Sequence, residues 1–213
     1  MNTISTQQLR AMVKAIADQI SENRDLLNRL DSALGDGDHG TSISTAFESA
    51  VQQVDKLDDD AYASDILKAT ASALMNRMGG ASGALFGTLF MKAALTAKSH
   101  DHLDKSTFDS LWKAGLDGVK SRGKSDVGDK TMVDALSPAV SAFNEASDFK
   151  NGWQVAAEAA QGGAENTKEM IAKHGRAKFT AERAIGHQDA GATSIALMFA
   201  AIHMYWHTIE DQD

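Results

Sequence analysis

Leu9-Arg-Ala-Met-Val13-Lys-Ala-Ile16-Ala-Asp-Gln-Ile20 spaces its large apolar residues by four, three and four. That spacing lines one stripe of a 3.6-residue helix and does not fit the two-residue period of a strand. The same period recurs outward from it: Phe47, Val51 and Val54, then Leu67, Ala71, Leu74 and Met78, then Phe86, Phe90, Ala93 and Ala97. Further stripes lie near 105–122, 132–148, 151–174 and 191–208, and no segment alternates as a half-buried strand would. One proline in 213 residues, Pro138, suits a chain of mostly uninterrupted helices. The spacing predicts helices over 6–21, 23–34, 41–56, 62–78, 82–98, 105–122, 132–148, 151–174 and 191–208, an all-α fold.

The composition excludes several functions. With no cysteine there is no disulfide, thiolate metal site or cysteine nucleophile. The formal charge of -8 comes with no basic block, which disfavours nucleic acid as a partner. No apolar run approaches the roughly 20 residues that span a bilayer, and the first ten residues lack the apolar centre of a signal peptide. A cytoplasmic protein without membrane attachment is expected, formed as one domain over 1–213.

The breaks between the helices carry the chemistry. Four are glycine-rich (35–40, 79–81, 123–131 and 175–190), and those near 57–61, 99–104 and 149–150 are plain polar turns. The two kinds alternate along the chain. In an up-and-down array alternate connections share an end, so the four glycine-rich ones should converge on one rim.

Residues 31–40 hold Asp31, Asp36 and Asp38 with Gly35, Gly37 and Gly40, and His39, Thr41 and Ser42 follow closely. Carboxylates so crowded call for a hard cation, Mg²⁺ takes oxygen ligands of this kind, and the next helix offers amide N–H groups to an anion. The run has the glycine spacing of a P-loop, but Thr41 stands where the lysine belongs and no strand precedes it. An EF-hand fails as well, because Gly40 occupies its third ligand position. What remains is a tight acidic loop, which reads either as a solvated turn whose Asp residues cap the next helix or as a Mg²⁺-phosphate site; capping needs one Asp and not three, which favours the second. Gly79-Gly80-Ala81-Ser82-Gly83 opens another helix and suits close approach of a ligand to the backbone. Arg122-Gly123-Lys124 to Met132 and Gly175-Arg176 to Gly191 concentrate cations in an acidic chain. Of these cations, Arg176 and Lys130 are the best placed for phosphate, whereas His39 and His187 suit local hydrogen bonding.

Taken in order, 31–39, Gly-Gly-Ala-Ser-Gly at 79–83, Gly-Asp-Lys-Thr-Met at 128–132, Gly-Arg-Ala at 175–177 and Gly-His-Gln-Asp at 186–189 resemble the nucleotide-binding L subunit family of dihydroxyacetone kinases. The resemblance covers essentially the whole chain. It implies a single-domain, up-and-down antiparallel barrel of about eight helices, with an adenine nucleotide (ADP or ATP) and Mg²⁺, two ions by expectation, in the loops at one end. It implies Asp31, Asp36 and Asp38 as metal ligands, acting with Arg176 on the transferred phosphoryl group. His39, Gly40, Thr41, Ser42, Ala81 and Ser82 match phosphate-side contacts. Gly123, Met132, Arg176, Asp189, Ala190 and Gly191 match nucleotide contacts, with Met132 on adenine. The expected partner is a K subunit that holds the ketose covalently, and a phosphotransferase-system protein is a candidate phosphoryl donor. Two positions depart from the family pattern. Ala190 replaces a frequent proline, which loosens the loop. Ser42 stands where relatives using a phosphotransferase-system donor often have Asn, a lean towards ATP. The same loops would also serve a nucleotide-sensing module without turnover.

Overall fold

The computed structural model describes residues 3–98 and 100–210. Residues 1, 2, 99 and 211–213 of the expected domain lie outside the described residues. A short strand β1 (Thr3–Ser5) leads into α1 (Thr6–Glu22), α2 (Arg24–Leu34), α3 (His39–Val54), α4 (Ala63–Arg77) and α5 (Gly80–Ala97). A second strand β2 (His102–Asp104) follows, then α6 (Lys105–Gly123), α7 (Val133–Glu145), α8 (Phe149–Asn166) and α9 (Ala190–Glu210). The two strands pair antiparallel, Ile4 opposite Leu103. Sequence periodicity missed them because three residues are too few to show alternation.

Eight of the helices form a ring. α3 packs on α4, α4 on α5, and so on to α9, which returns to α1 and closes the ring. The ninth, α2, stands outside this sequence and packs on α3 and α9. The fold is all-α, an up-and-down helical barrel as expected.

The two ends are built differently. At one end the helices start from side-chain caps. Ser5 and Gln8 form a reciprocal capping box for α1, Asp104 accepts from the Thr107 amide at 2.8 Å to start α6, and Asp148 accepts from Asn151 at 2.9 Å to start α8. Such caps satisfy amides that the helix leaves unpaired. The hydrogen bonds Thr6 N to Asp101 O and Ala63 N to His100 O tie the starts of α1 and α4 to the α5–β2 connection at this end. An aromatic cluster fills it: Phe108 meets Phe149 and Trp153 edge-to-face at 5.4 and 5.6 Å, and Phe149 reaches Trp206 at 5.2 Å. Burial of rings this large dominates core energetics and closes this end of the barrel.

At the other end α3, α5, α7 and α9 begin from the glycine-rich connections, and one cavity receives residues from all four. α8 differs from the expected 151–174 helix, ending at Asn166 and passing through a tight turn at Thr167–Glu169. The cause is tertiary. The Thr167 carbonyl turns to the Lys130 ammonium and its hydroxyl to the Ala164 carbonyl at 2.5 Å, so the backbone leaves the helical path. Pro138 sits inside α7 and leaves the Asp134 carbonyl without its helical donor. Gly163 of α8 packs on that carbonyl, where an added Cβ would lie 2.2 Å away.

Candidate functional site

Four connections meet around a cavity of about 550 Å³, within the range of small-molecule sites. Its floor is acidic. Asp31 lies in the last turn of α2, and its Oδ2 accepts the amides of Gly37, Asp38 and His39 at 2.8, 3.1 and 3.3 Å. One carboxylate thereby folds the whole turn. Gly37 adopts φ of +79°, a region that glycine enters without strain. This turn brings ligand oxygens of Asp31, Asp36 and Asp38 within 4.8 Å of one another, the one such cluster of metal-ligating groups among the described residues. Asp38 occupies the N-cap position of α3 without a side-chain cap bond, so capping does not explain the crowding.

Carboxylates engage amides at two of the four helix starts facing the rim and in the connection just before a third, where the Val133 amide itself donates to the Thr131 hydroxyl. Asp31 serves α3. The buried Asp134 accepts from Gly128 and Thr131 at 2.6 and 2.7 Å just before α7, and Asp189 accepts from Ala192 at 2.7 Å in α9. α5 starts at Gly79 with no side-chain cap bond, and Gly79, Gly80, Ala81 and Ser82 line the cavity. Unpaired amides and the positive end of the helix dipole suit an anion there.

Cations meet this floor from the far wall. Arg176 pairs with Asp36 across the mouth, and Arg122 and Lys130 also line the cavity. Lys130 is buried, and burial lowers its pKa while Asp189 and Asp134 draw it back up. Asp189, half-buried at the wall, moves the opposite way: burial pushes its carboxyl up to about 6, against the pull of the Ala192 amide and Lys130. His39 is buried, hydrogen-bonds Ser194 Oγ through Nε2 at 2.9 Å and lies 6.2 Å from the Phe86 ring. Burial lowers its pKa and favours the neutral ring.

Of the residues expected from sequence, Asp31, Asp36, Asp38, His39, Ser42, Ala81, Ser82, Gly123, Met132, Arg176, Asp189, Ala190 and Gly191 all line the cavity. Gly40 and Thr41 do not, which departs from their expected place beside phosphate. Gly40 faces α2, where an added Cβ would stand 2.0 Å from the Arg24 carbonyl. The Thr41 amide and hydroxyl bond the Asn28 side chain at 3.0 and 2.9 Å. They seat α2 on α3, and with it Asp31. Sequence reasoning missed Asp134 and the group formed by Asp129 with Lys173 and His174, at 2.7 and 3.2 Å. Asp134 had a signal in the Thr-x-x-acid spacing from Thr131. The Asp129 contacts span more than forty residues and had none.

The DAK2 domain family profile matches residues 33–204. The PEP-dependent dihydroxyacetone kinase, ADP-binding subunit, of Escherichia coli K12 is 37% identical over 200 residues, covering 92% of this chain and 95% of its own length. A Listeria innocua protein, PEP-dependent dihydroxyacetone kinase 1, ADP-binding subunit, is 35% identical over 87% of this chain and 89% of its own. The crystal structure of the C. freundii dihydroxyacetone kinase in complex with AMP-PNP and Mg²⁺ superposes with a TM-score of 0.71 at 27% identity, over 92% of this chain. The chain spans about a third of that larger protein. A matched profile over most of the sequence, two relatives similar along nearly their whole lengths and a shared helical barrel lead to one conclusion: the chain belongs to the DAK2 domain family.

Proposed function

We propose that this chain is the ADP-binding subunit of a kinase for dihydroxyacetone or a related short ketose, passing a phosphoryl group to a ketose held covalently on a separate K subunit. The observation that carries the reading is the juxtaposition in one cavity of three clustered carboxylates, an uncapped helix start at Gly79 and a wall of cations. Phosphoryl transfer asks a protein mainly for positioning and charge neutralisation, which this arrangement supplies. No residue of the chain needs to be phosphorylated.

The residues divide by chemistry. Asp31, Asp36 and Asp38 present only carboxylate oxygens, the donor set that suits Mg²⁺. Bound there, Mg²⁺ would neutralise the repulsion between these carboxylates and the phosphates, and we propose two ions shared by the three side chains. The backbone at 80–82, with Ser82, Ser42 and His39, binds phosphate oxygens. His39 is held by Ser194 at 2.9 Å, which fixes its ring for orienting a phosphate oxygen. Arg176 offers a planar fork to the transferred group. Met132, Gly123, Asp189, Ala190 and Gly191 form the wall for the nucleoside, with Met132 against adenine. The Escherichia coli and Listeria innocua relatives are named PEP-dependent, which supports a PEP-derived phosphoryl donor against the lean given by Ser42.

Reconstitution tests this. The chain is mixed with a K subunit, dihydroxyacetone, Mg²⁺ and either ATP or a phosphorylated phosphotransferase-system protein with ADP. Ketose phosphate is expected from at least one mixture. Nucleotide binding with no product in any mixture would instead favour a sensing role.

A further inference from the structure

Residues 168–186 form a loop that leaves the barrel and returns through a narrow neck, with the Gly186 amide donating to the Lys168 carbonyl at 2.7 Å. The loop carries Arg176 near its middle. Its outer part has little packing of its own: Phe179 is 77% exposed and Ala181 takes φ of +50°. A small apolar contact of Ala172, Ala177 and Ala184 with Leu34 holds one side. Lys173 and His174 bond Asp129 on another. The Arg176–Asp36 pair is exposed on both sides, and such pairs contribute little to holding a backbone in place.

The neck is different. Lys130 donates through Nζ to the carbonyls of Thr167 and His187, the residues just outside the two stems of the loop. Thr167 Oγ1 also accepts from the Asp189 amide at 2.9 Å. Lys130 is 2% exposed and sits at φ of +57°, so both its burial and its backbone conformation are unfavourable for a lysine without a specific role. Ammonium-to-carbonyl bonds in a buried site are stronger and more directional than a solvated ion pair. Both of its identified acceptors belong to the neck, which makes Lys130 a brace where the sequence suggested a phosphate contact.

We propose that Lys130 is a positioning residue that clamps the neck of the 168–186 loop and thereby sets Arg176 over the mouth of the cavity. The clamp stands on the neck geometry, and its effect on transfer rests on the nucleotide-site reading above. Lys130→Met keeps the length of the side chain and removes both bonds. Hydrogen exchange is the first readout: the Gly186 and Asp189 amides should exchange at least tenfold faster in Lys130→Met, while amides in the middle of α7 and α8 stay unchanged. The second is phosphoryl transfer at saturating nucleotide. Lys130→Met should lower kcat on the order of 100-fold, as misplacement of a catalytic group by about 1 Å does. Arg176→Ala should lower it similarly, and the double variant should fall no further. Lys130→Arg keeps the charge and a donor, should recover part of the rate, and carries the test if the methionine variant does not fold. Additive losses, or a rise in nucleotide KM with unchanged exchange at the neck, would overturn the proposal and make Lys130 a phosphate ligand. Faster exchange at the neck in Lys130→Met, together with a wild-type protein that neither binds nucleotide nor transfers phosphoryl, would sink the functional reading and leave the clamp standing.

Discussion

Asp189→Asn gives a stability change with a distinctive pH signature. Burial raises the Asp189 carboxyl from an ordinary 3.8 to about 6, with the Ala192 amide and Lys130 pulling it back. Between those values the folded chain binds this proton more tightly than the unfolded chain does, so stability falls as pH rises through the window. At about 1.4 kcal/mol per pH unit, the whole interval is worth about 3 kcal/mol, an upper figure for a group at the cavity wall. The asparagine variant cannot titrate, yet it keeps an oxygen to accept from Ala192, which lies 2.7 Å away in the wild type. Urea unfolding of both proteins from about pH 4 to about pH 7 isolates the group, because the other carboxylates cancel in the difference. The variant should gain on the wild type steadily across the window and stay ahead by about 2–3 kcal/mol above it. Stability curves that run parallel through that window would refute the argument. A carboxylate kept at such a cost at neutral pH is the pattern found at functional sites, consistent with Asp189 facing a ligand.

Other substitutions probe the frame of the site. Gly162→Ala meets nothing within 4 Å in α8 and should stabilise by about 0.5–1 kcal/mol, while the adjacent Gly163→Ala meets the Asp134 carbonyl at 2.2 Å and should destabilise by about 1–3 kcal/mol or more. Paired urea melts separate the two, and equal shifts would contradict the α7–α8 packing. Gly40→Ala drives a Cβ against the Arg24 carbonyl, so it should lower both the melting temperature and the affinity for Mg-ADP by displacing α2 and Asp31. Unchanged nucleotide affinity in a destabilised variant would detach α2 from the site. Asp31→Ala frees three amides of the acidic turn, with an expected loss of about 1–3 kcal/mol and of the melting shift given by ADP with Mg²⁺. Thermal denaturation with and without ligand reads both effects.

Much of this was legible because helices announce themselves by period. The Leu9 to Ile20 stripe is buried in α1 as its spacing requires, and the nine α-helices among the described residues were all located, most within a few residues of their bounds. The shared rim followed from the alternation of connections alone, and the cavity draws on each of the four glycine-rich ones. What escaped depends on distant partners. The end of α8 is decided by Lys130, more than thirty residues earlier in the chain. Gly40 and Thr41 belong to a phosphate-like motif, yet face α2, and nothing local in the sequence tells which side of α3 they take. The buried ammonium of Lys130 and the Asp129 contacts are likewise products of folding, invisible to spacing.

Calorimetric titration of ADP into the chain, with Mg²⁺ and with excess chelator, in the wild type and in Asp36→Asn, puts the central claim to its most direct test. Saturable binding in the wild type with Mg²⁺, lost in chelator and in the Asp36 variant, is the predicted result. No binding in any condition, or equal binding in wild type and variant, would contradict it.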